Sequence, residues 1–228
     1  MLDVPQMNEE YNWVKLYKAS GVAALVIVFI IPIQILIFTV FPPPDTTIAF
    51  IDLFHDNWVI GLLSLDFLYY INNALLILVY LGLFAALRKD NYANMLIALV
   101  FGFIGIAVYY VSTIGFEMMS LSKQYHSTES IEIRQQLLAI GHGLLERYKG
   151  TAFDVYYVFN TITLLIISNT MYKSNIFSKA TAGLGTDCRD IYDYTVNSRN
   201  NRIGFFFNFF NSLDYFFNTN WKKITDNG

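Results

Sequence analysis

The chain of 228 residues is 55% hydrophobic and only 14% charged, with a formal net charge of -3 and a mean hydropathy of +0.41. Soluble domains usually carry about 25% charged residues, so this composition favours a membrane protein. The small net charge and the scattered Lys and Arg residues exclude a nucleic-acid partner. The single cysteine, Cys188, excludes an intrachain disulfide framework, no Cys/His pattern has zinc spacing, and no cofactor is expected.

The amino-terminal segment predicts a retained first span. Residues 1–18 are polar and acidic, and the apolar run after them is too long for a cleavable signal peptide. Span one covers about Gly21 to Phe41 and contains Pro32, which bilayer helices tolerate when neighbouring groups satisfy the freed carbonyl. The three prolines at 42–44 end this span, because proline disfavours helix at the residue before it.

Three further apolar runs have the length of about 20 residues that a helix needs to cross the hydrocarbon core. They cover about Leu68 to Leu87, Tyr92 to Ser112 and Phe153 to Met171. An interfacial helix is predicted around Trp58, ahead of the second span. Gly102 and Gly105 in the third span are expected to let neighbouring helices approach closely. The sequence therefore predicts an all-α polytopic transmembrane helix bundle.

The long loop from Met119 to Gly150 differs from the other connections. Its apolar residues Ile133, Leu137, Ile140 and Leu144 repeat at spacings of three and four, which predicts an amphipathic helix at a surface. We favour a helix that packs on the outside of its own bundle. The alternative is a helix that binds a partner.

The distribution of Lys and Arg predicts the orientation of the spans. Lys15 and Lys18 precede span one, Arg88 and Lys89 follow span two, and the first loop up to Asn57 has no basic residue. Lys173 and Lys179 follow span four. The amino terminus is therefore predicted in the cytoplasm, with the first and third loops outside, in a multi-pass protein of a cell membrane.

Six polar residues near the predicted outer ends of the spans are candidate site residues: Asp66, Asn72, Asn73, Glu117, His142 and Asp154. Counting back from Arg88 places Asp66 at the outer hydrocarbon edge. Asn73 lies two turns further on the same helix face. Counts along the other spans place Glu117 and Asp154 at a similar depth, and Tyr109, Ser112 and Thr113 could line the same polar side.

Several roles stay open for these residues. Converging carboxylates with His142 could bind a divalent cation or a substrate, or act in acid–base catalysis. The favoured interpretation is that the acidic groups are solvated at helix mouths, where Asp154 also favours the start of its helix. Asn72 and Asn73 are expected to bond across helices, and the alternative is a solute pathway, although residues 74–87 offer only Tyr80 as a polar group.

Three segments carry a family resemblance: LDFLYYINNALLILVYLGLFAALRK, YKGTAFDVYYVFNTITLLIISNTMYKS and IFSKATAGLG. Together they resemble the bacterial membrane family catalogued as domain of unknown function 4386, over about Tyr11 to Gly185. The resemblance implies a bacterial cytoplasmic membrane and a bundle of about six spans, each about 20 residues long. It implies no activity, since the family has no established one.

The sequence after Gly185 departs from the family pattern. It alternates Phe and Tyr with Asn and Asp, whereas the family has two more apolar spans there. Codons read from their second base permit an apolar span over Thr186 to Asn197 and another, with a basic end, over Phe205 to Ile224. We therefore predict a frame change near Gly185, which leaves residues 186–228 as an out-of-frame, poorly ordered tail. The alternative is a genuine aromatic tail at the membrane interface, where Tyr and Trp favour the headgroups.

Three functions are weighed on this basis. The leading hypothesis is a non-enzymatic helper, sensor or assembly component with a polar pocket on the outer side, in contact with the lipid bilayer and with a membrane-protein partner or a second copy. The rivals are a small-solute or cation transporter and an intramembrane enzyme that uses Asp66, Glu117 and Asp154.

Overall fold

The computed structural model describes residues 7–174 and 176–177, with side chains from residue 13 onward. All regular structure in this part of the chain is α-helical. Its helices are α1 (Met7–Val40), α2 (Thr47–Asp56), α3 (Trp58–Ser64), α4 (Phe67–Leu87), α5 (Tyr92–Ser112), α6 (Gly115–Ser127), α7 (Ile131–Tyr148) and α8 (Thr151–Lys173). The predicted all-α fold class is confirmed.

Four long apolar helices form the bundle. Among the described residues, the stretches long and apolar enough to cross a membrane are Trp13–Val40, Phe67–Leu87, Tyr92–Ser127 and Ile131–Lys173. The third stretch contains α6 in addition to α5, and the fourth contains α7 in addition to α8. Helix α1 packs along α4, and α5 packs along α8, with α4 and α5 joining the two pairs. The apolar bundle supports a multi-pass membrane protein in contact with lipid.

Glycines allow the spanning helices to approach closely. A Cβ at Gly102 would lie 2.6 Å from the Tyr80 ring, and a Cβ at Gly105 would lie 2.9 Å from the Asn160 amide. The expected role of both glycines is therefore confirmed. A Cβ at Gly82 would collide with Ser20 of α1, whose hydroxyl donates to the Leu78 carbonyl at 2.7 Å.

The four short helices α2, α3, α6 and α7 pack into one unit, which we call the cap. The cap covers the end of the bundle at which α1 and α5 end and α4 and α8 begin. Its core is apolar and separate from the bundle core, with Phe50, Ile51, Phe54, Leu62, Leu65, Ile114, Met118, Leu121, Leu137, Leu145 and Tyr148 buried. The Ser122 hydroxyl donates to the Ile51 carbonyl at 2.6 Å and ties α6 to α2. The two loops therefore fold together on one side of the bundle.

The structure corrects several predicted details. Helix α1 covers Met7–Val40, so it extends ahead of the span predicted from about Gly21, because the polar residues before that span continue the helix. The helix predicted around Trp58 is α3, whereas α2 and α6 were not predicted. The helix predicted in the third loop is present as α7, but its buried face is rotated. Ile133 and Ile140 are 47% and 53% exposed, whereas Leu137 and Leu145 are buried.

The predicted frame change near Gly185 and the predicted tail over residues 186–228 lie outside the described residues.

Candidate functional site

Asp66 joins the cap to the bundle. It connects α3 to α4 in a left-handed conformation, with φ 61° and ψ 29°, and within the described residues no other non-glycine residue has a positive φ. Aspartate is one of the few residues that enters this region readily, at a cost of about 1–3 kcal/mol. The turn directs the Asp66 side chain inward, where it is only 3% exposed. Asp66 therefore combines an unfavourable backbone conformation with a buried carboxylate.

The Asp66 carboxylate accepts a hydrogen bond from the Tyr148 hydroxyl, which reaches it from the last turn of α7. Tyr148 is buried and lies in the cap core. The Tyr109 hydroxyl of α5 lies 3.5 Å from the Asp66 backbone carbonyl oxygen. Three helices therefore meet around Asp66, one from the cap and two from the bundle.

Below Asp66, polar side chains continue along the interior of the bundle, and we call this set the polar seam. It consists of Asp66, Tyr69, Asn73, Tyr80, Tyr109, Tyr148, Tyr156, Asn160 and Thr163. The Asn73 amide nitrogen donates to the Tyr69 carbonyl at 3.0 Å, and the amide lies beside the Tyr156 hydroxyl. The Tyr156 ring also packs on the Tyr109 ring, with centroids 4.9 Å apart.

The polar seam reaches deeper into the bundle than the sequence of α4 predicts, because α8 contributes further polar side chains. The Tyr80 hydroxyl donates to Asn160 Oδ1 at 2.6 Å, and Asn160 Nδ2 donates to the Tyr156 carbonyl at 2.8 Å. The Thr163 hydroxyl reaches the Ala98 carbonyl of α5 at 3.1 Å. Tyr80 follows Asp66 by fourteen residues of helix, which is about 21 Å at the rise of an α-helix. The seam therefore passes the middle of the bundle.

At the far end of the bundle, most buried side chains are apolar. Leu83, Leu87, Met95 and Met171 are buried in this region. The buried hydroxyl of Thr170 donates to a backbone carbonyl of its own helix at 2.9 Å and adds no polar surface to the seam. Ser20, Ser168 and Ser174 are also buried near this end, but most of its buried side chains are apolar.

Buried amides beside the seam retain hydrogen-bonding capacity. Asn72 is fully buried, and neither its amide nitrogen nor its amide oxygen has a hydrogen-bond partner in the described part of the chain. Asn73 Oδ1 and Gln34 Oε1 are likewise without partners there, although Gln34 Nε2 donates to the Leu63 carbonyl at 3.2 Å. Each unsatisfied buried group costs about 1–3 kcal/mol. These amides therefore leave hydrogen-bonding groups unsatisfied inside the bundle.

The structure separates the six residues predicted from the sequence. Asp66 is buried just before α4, and Asn72 and Asn73 are buried on α4. The side chains of Glu117 and His142 are exposed on the cap, and that of Asp154 is exposed on the first turn of α8. Glu117 faces Arg147 at 4.0 Å, an exposed ion pair worth about 0–1 kcal/mol. Across the described residues, no three His, Cys, Asp or Glu side chains come together as a metal site.

Sequence reasoning missed Tyr148, Tyr156 and Asn160. Asn160 and Thr163 lie three residues apart within an apolar span, and polar residues inside spans mark functional or packing sites, so that pair offered a usable signal. Tyr148 offered none, because its contact with Asp66 joins residues 82 positions apart in the chain. Tyr109 was expected to line the polar side and does so.

Comparisons of this chain with protein-family models, with curated proteins and with solved structures found no match.

Proposed function

We propose that the protein is a non-enzymatic helper, sensor or assembly component of a bacterial cytoplasmic membrane, and that it binds a small polar molecule or a cation in the polar seam beneath the cap. The observation that carries this proposal is the buried Asp66–Tyr148 pair, which connects the cap to the interior of the bundle. A ligand bound at Asp66 would change the contact between the cap and the bundle. The membrane and the cytoplasmic amino terminus rest on the family resemblance and on the Lys and Arg distribution.

The largely apolar far end of the bundle favours binding over transport. A transporter needs polar access from both sides of its site, whereas the buried side chains beyond Tyr80 are largely apolar. The transporter alternative keeps one supporting observation, because Asn160 and Thr163 extend the polar path beyond what α4 provides. We therefore retain it as the second candidate.

Catalysis by the three carboxylates has less support. Asp66 is buried under the cap, while Glu117 and Asp154 are exposed. A pair of carboxylates in acid–base work must reach the same reacting atom, within hydrogen-bonding distance. Their different environments do not provide that arrangement.

A ligand titration tests the proposal. The full chain is reconstituted in lipid nanodiscs and its thermal midpoint is measured with sodium, potassium or calcium chloride at constant ionic strength, and with glycine or glycerol. A ligand that binds only the folded state stabilises it by about 2.7 kcal/mol at a hundredfold excess over Kd. We expect one probe to raise the midpoint of the wild type and to have no effect on Asp66→Asn.

Asp154→Asn is the matched control, because it removes an exposed carboxylate from the same end of the bundle. Equal stabilisation of all three proteins by every probe would exclude the seam as the binding site. Uptake of the stabilising probe into sealed proteoliposomes distinguishes the transporter, which accumulates it, from a sensor, which does not. Crosslinking in membranes then identifies a membrane-protein partner or a second copy.

A further inference from the structure

Arg88 directly follows α4 at the end of the bundle opposite the cap, and its guanidinium lies over an aromatic ring. The guanidinium carbon lies 3.8 Å from the centroid of the Trp13 ring of α1. Tyr17, one turn further along α1, lies on the same helix face and close enough to interact electrostatically with Arg88. Stacking on Trp13 holds the plane of the guanidinium between α1 and α4.

The Arg88 guanidinium has no acceptor in the described part of the chain. Its Nε is buried without a hydrogen-bond partner, and no carboxylate there forms an ion pair with it. Asp90, two residues further on, is exposed and makes no such pair. A guanidinium carries five N–H donors in a fixed fork, and burying a charged donor without an acceptor is unfavourable. The buried Nε therefore has hydrogen-bonding capacity that no acceptor among the described residues uses.

The surroundings of Arg88 are basic. Lys89 follows it directly, Lys15 and Lys18 flank Tyr17 on α1, and all three lysine side chains are exposed. From Trp13 to the end of α1 the sequence contains no Asp or Glu. Glu9 and Glu10 lie earlier in α1, and Asp90 follows Lys89. Among the described side chains, an anion that approaches Arg88 meets Lys15, Lys18 and Lys89.

We propose that Arg88 and Trp13, with the flanking lysines, bind the phosphate group of an anionic phospholipid. Arg88 directly follows the 21 residues of α4, so it lies at the level where the hydrocarbon core ends and the headgroups begin. The guanidinium fork matches two phosphate oxygens, and tryptophan is favoured at headgroup depth. Basic clusters between spanning helices on the cytoplasmic side bind anionic headgroups, which agrees with the predicted orientation. This site is independent of the polar seam.

The test compares lipids that differ only in headgroup charge. The delipidated full chain is placed in nanodiscs of phosphatidylcholine alone or with increasing phosphatidylglycerol, and binding is followed by the thermal midpoint and by lipid retained in native mass spectrometry. We expect phosphatidylglycerol to raise the midpoint and to be retained. Arg88→Lys keeps the charge but loses the fork, and should weaken phosphatidylglycerol binding about tenfold.

Matched controls make the result decisive. Lys149→Gln removes an exposed charge at the cap end and should leave the phosphatidylglycerol effect unchanged. Trp13→Leu removes the stacking surface without changing charge and should weaken phosphatidylglycerol binding, because the guanidinium loses the ring that orients it. Unchanged binding in both Arg88→Lys and Trp13→Leu would overturn the site in favour of diffuse attraction. An equal shift with inorganic phosphate in pure phosphatidylcholine would overturn the lipid as its ligand.

Discussion

The Tyr148 hydroxyl donates to the Asp66 carboxylate across 82 positions of the chain, and both side chains are buried where the cap meets the bundle. Tyr148 ends α7, and Asp66 precedes α4. The bond therefore couples the third loop to the start of the second span. A buried carboxylate needs such donors, because burial without them disfavours its charged form.

Tyr148→Phe removes this donor and leaves the ring in place. We expect the free energy of unfolding to fall by about 1–3 kcal/mol, since the Asp66 carboxylate loses a hydrogen bond. Chemical unfolding in mixed micelles measures the change. Tyr92→Phe, at an exposed tyrosine, is the control and should have little effect. In an Asp66→Asn background the Tyr148→Phe cost should shrink, and equal costs in both backgrounds would show that the two side chains are not coupled.

Gly102→Ala should separate Tyr80 from Asn160. The added Cβ would lie 2.6 Å from the Tyr80 ring and 3.2 Å from Thr163, so the helices must move apart. We expect a loss of about 1–3 kcal/mol from overpacking. Gly143→Ala is the matched control, because a Cβ there meets nothing within 4 Å on the exposed face of α7. It should stabilise the protein by about 0.5–1 kcal/mol, and a loss comparable to that of Gly102→Ala would contradict the packing.

Tyr80→Phe and Asn160→Leu test the deepest side-chain bond of the polar seam. Interhelical hydrogen bonds in membranes contribute about 0.6 kcal/mol on average and up to about 1.7. The short 2.6 Å bond between these residues should fall in the upper half of that range. A double-mutant cycle in the same micelles measures it. A coupling energy of zero would mean that the seam is not held together at this depth.

Leu145→Ala and Ile140→Ala distinguish the observed buried face of α7 from the one predicted from the sequence. Leu145 lies in the cap core, so its truncation should cost about 2–5 kcal/mol. Ile140 is 53% exposed, and its truncation should change stability by less than about 0.5 kcal/mol. The reverse order of costs would restore the predicted face. Thermal unfolding of the two variants side by side gives the comparison.

The spanning helices were predictable because a bilayer sets their length. Helix α4 begins at Phe67 and α5 covers Tyr92–Ser112, within one residue of the expected starts and at the expected ends. Long apolar runs carry this information locally. The full length of the first helix was not predicted, because hydropathy indicates where the hydrocarbon core begins and not where the helix begins.

The cap and its contact with Asp66 were not predictable in the same way. Spacing at three and four fits more than one face of α7, and only the position of α2 and α6 selects Leu145 over Ile140. The polar seam likewise depends on how α8 meets α4, which decides that Asn160 lies at Tyr80. Such long-range pairings leave no periodic signal in the sequence. The exposure of Glu117 and Asp154 was not predictable for the same reason. A similar predicted depth in the membrane does not mean that two side chains point to the same side of the bundle.

The cap also imposes an order on biosynthesis. Its first half, α2 and α3, is made before α4 and α5, whereas its second half, α6 and α7, is made after them. Phe50 and Phe54 are therefore synthesised before Met118 and Leu121, which belong to the same buried cluster. Their side chains lack these neighbours while α4 and α5 are being made. Chains that stop before α7 expose this apolar surface, which makes them substrates for chaperones and proteases. The contact between Tyr148 and Asp66 therefore forms only after the chain has been synthesised to the end of α7.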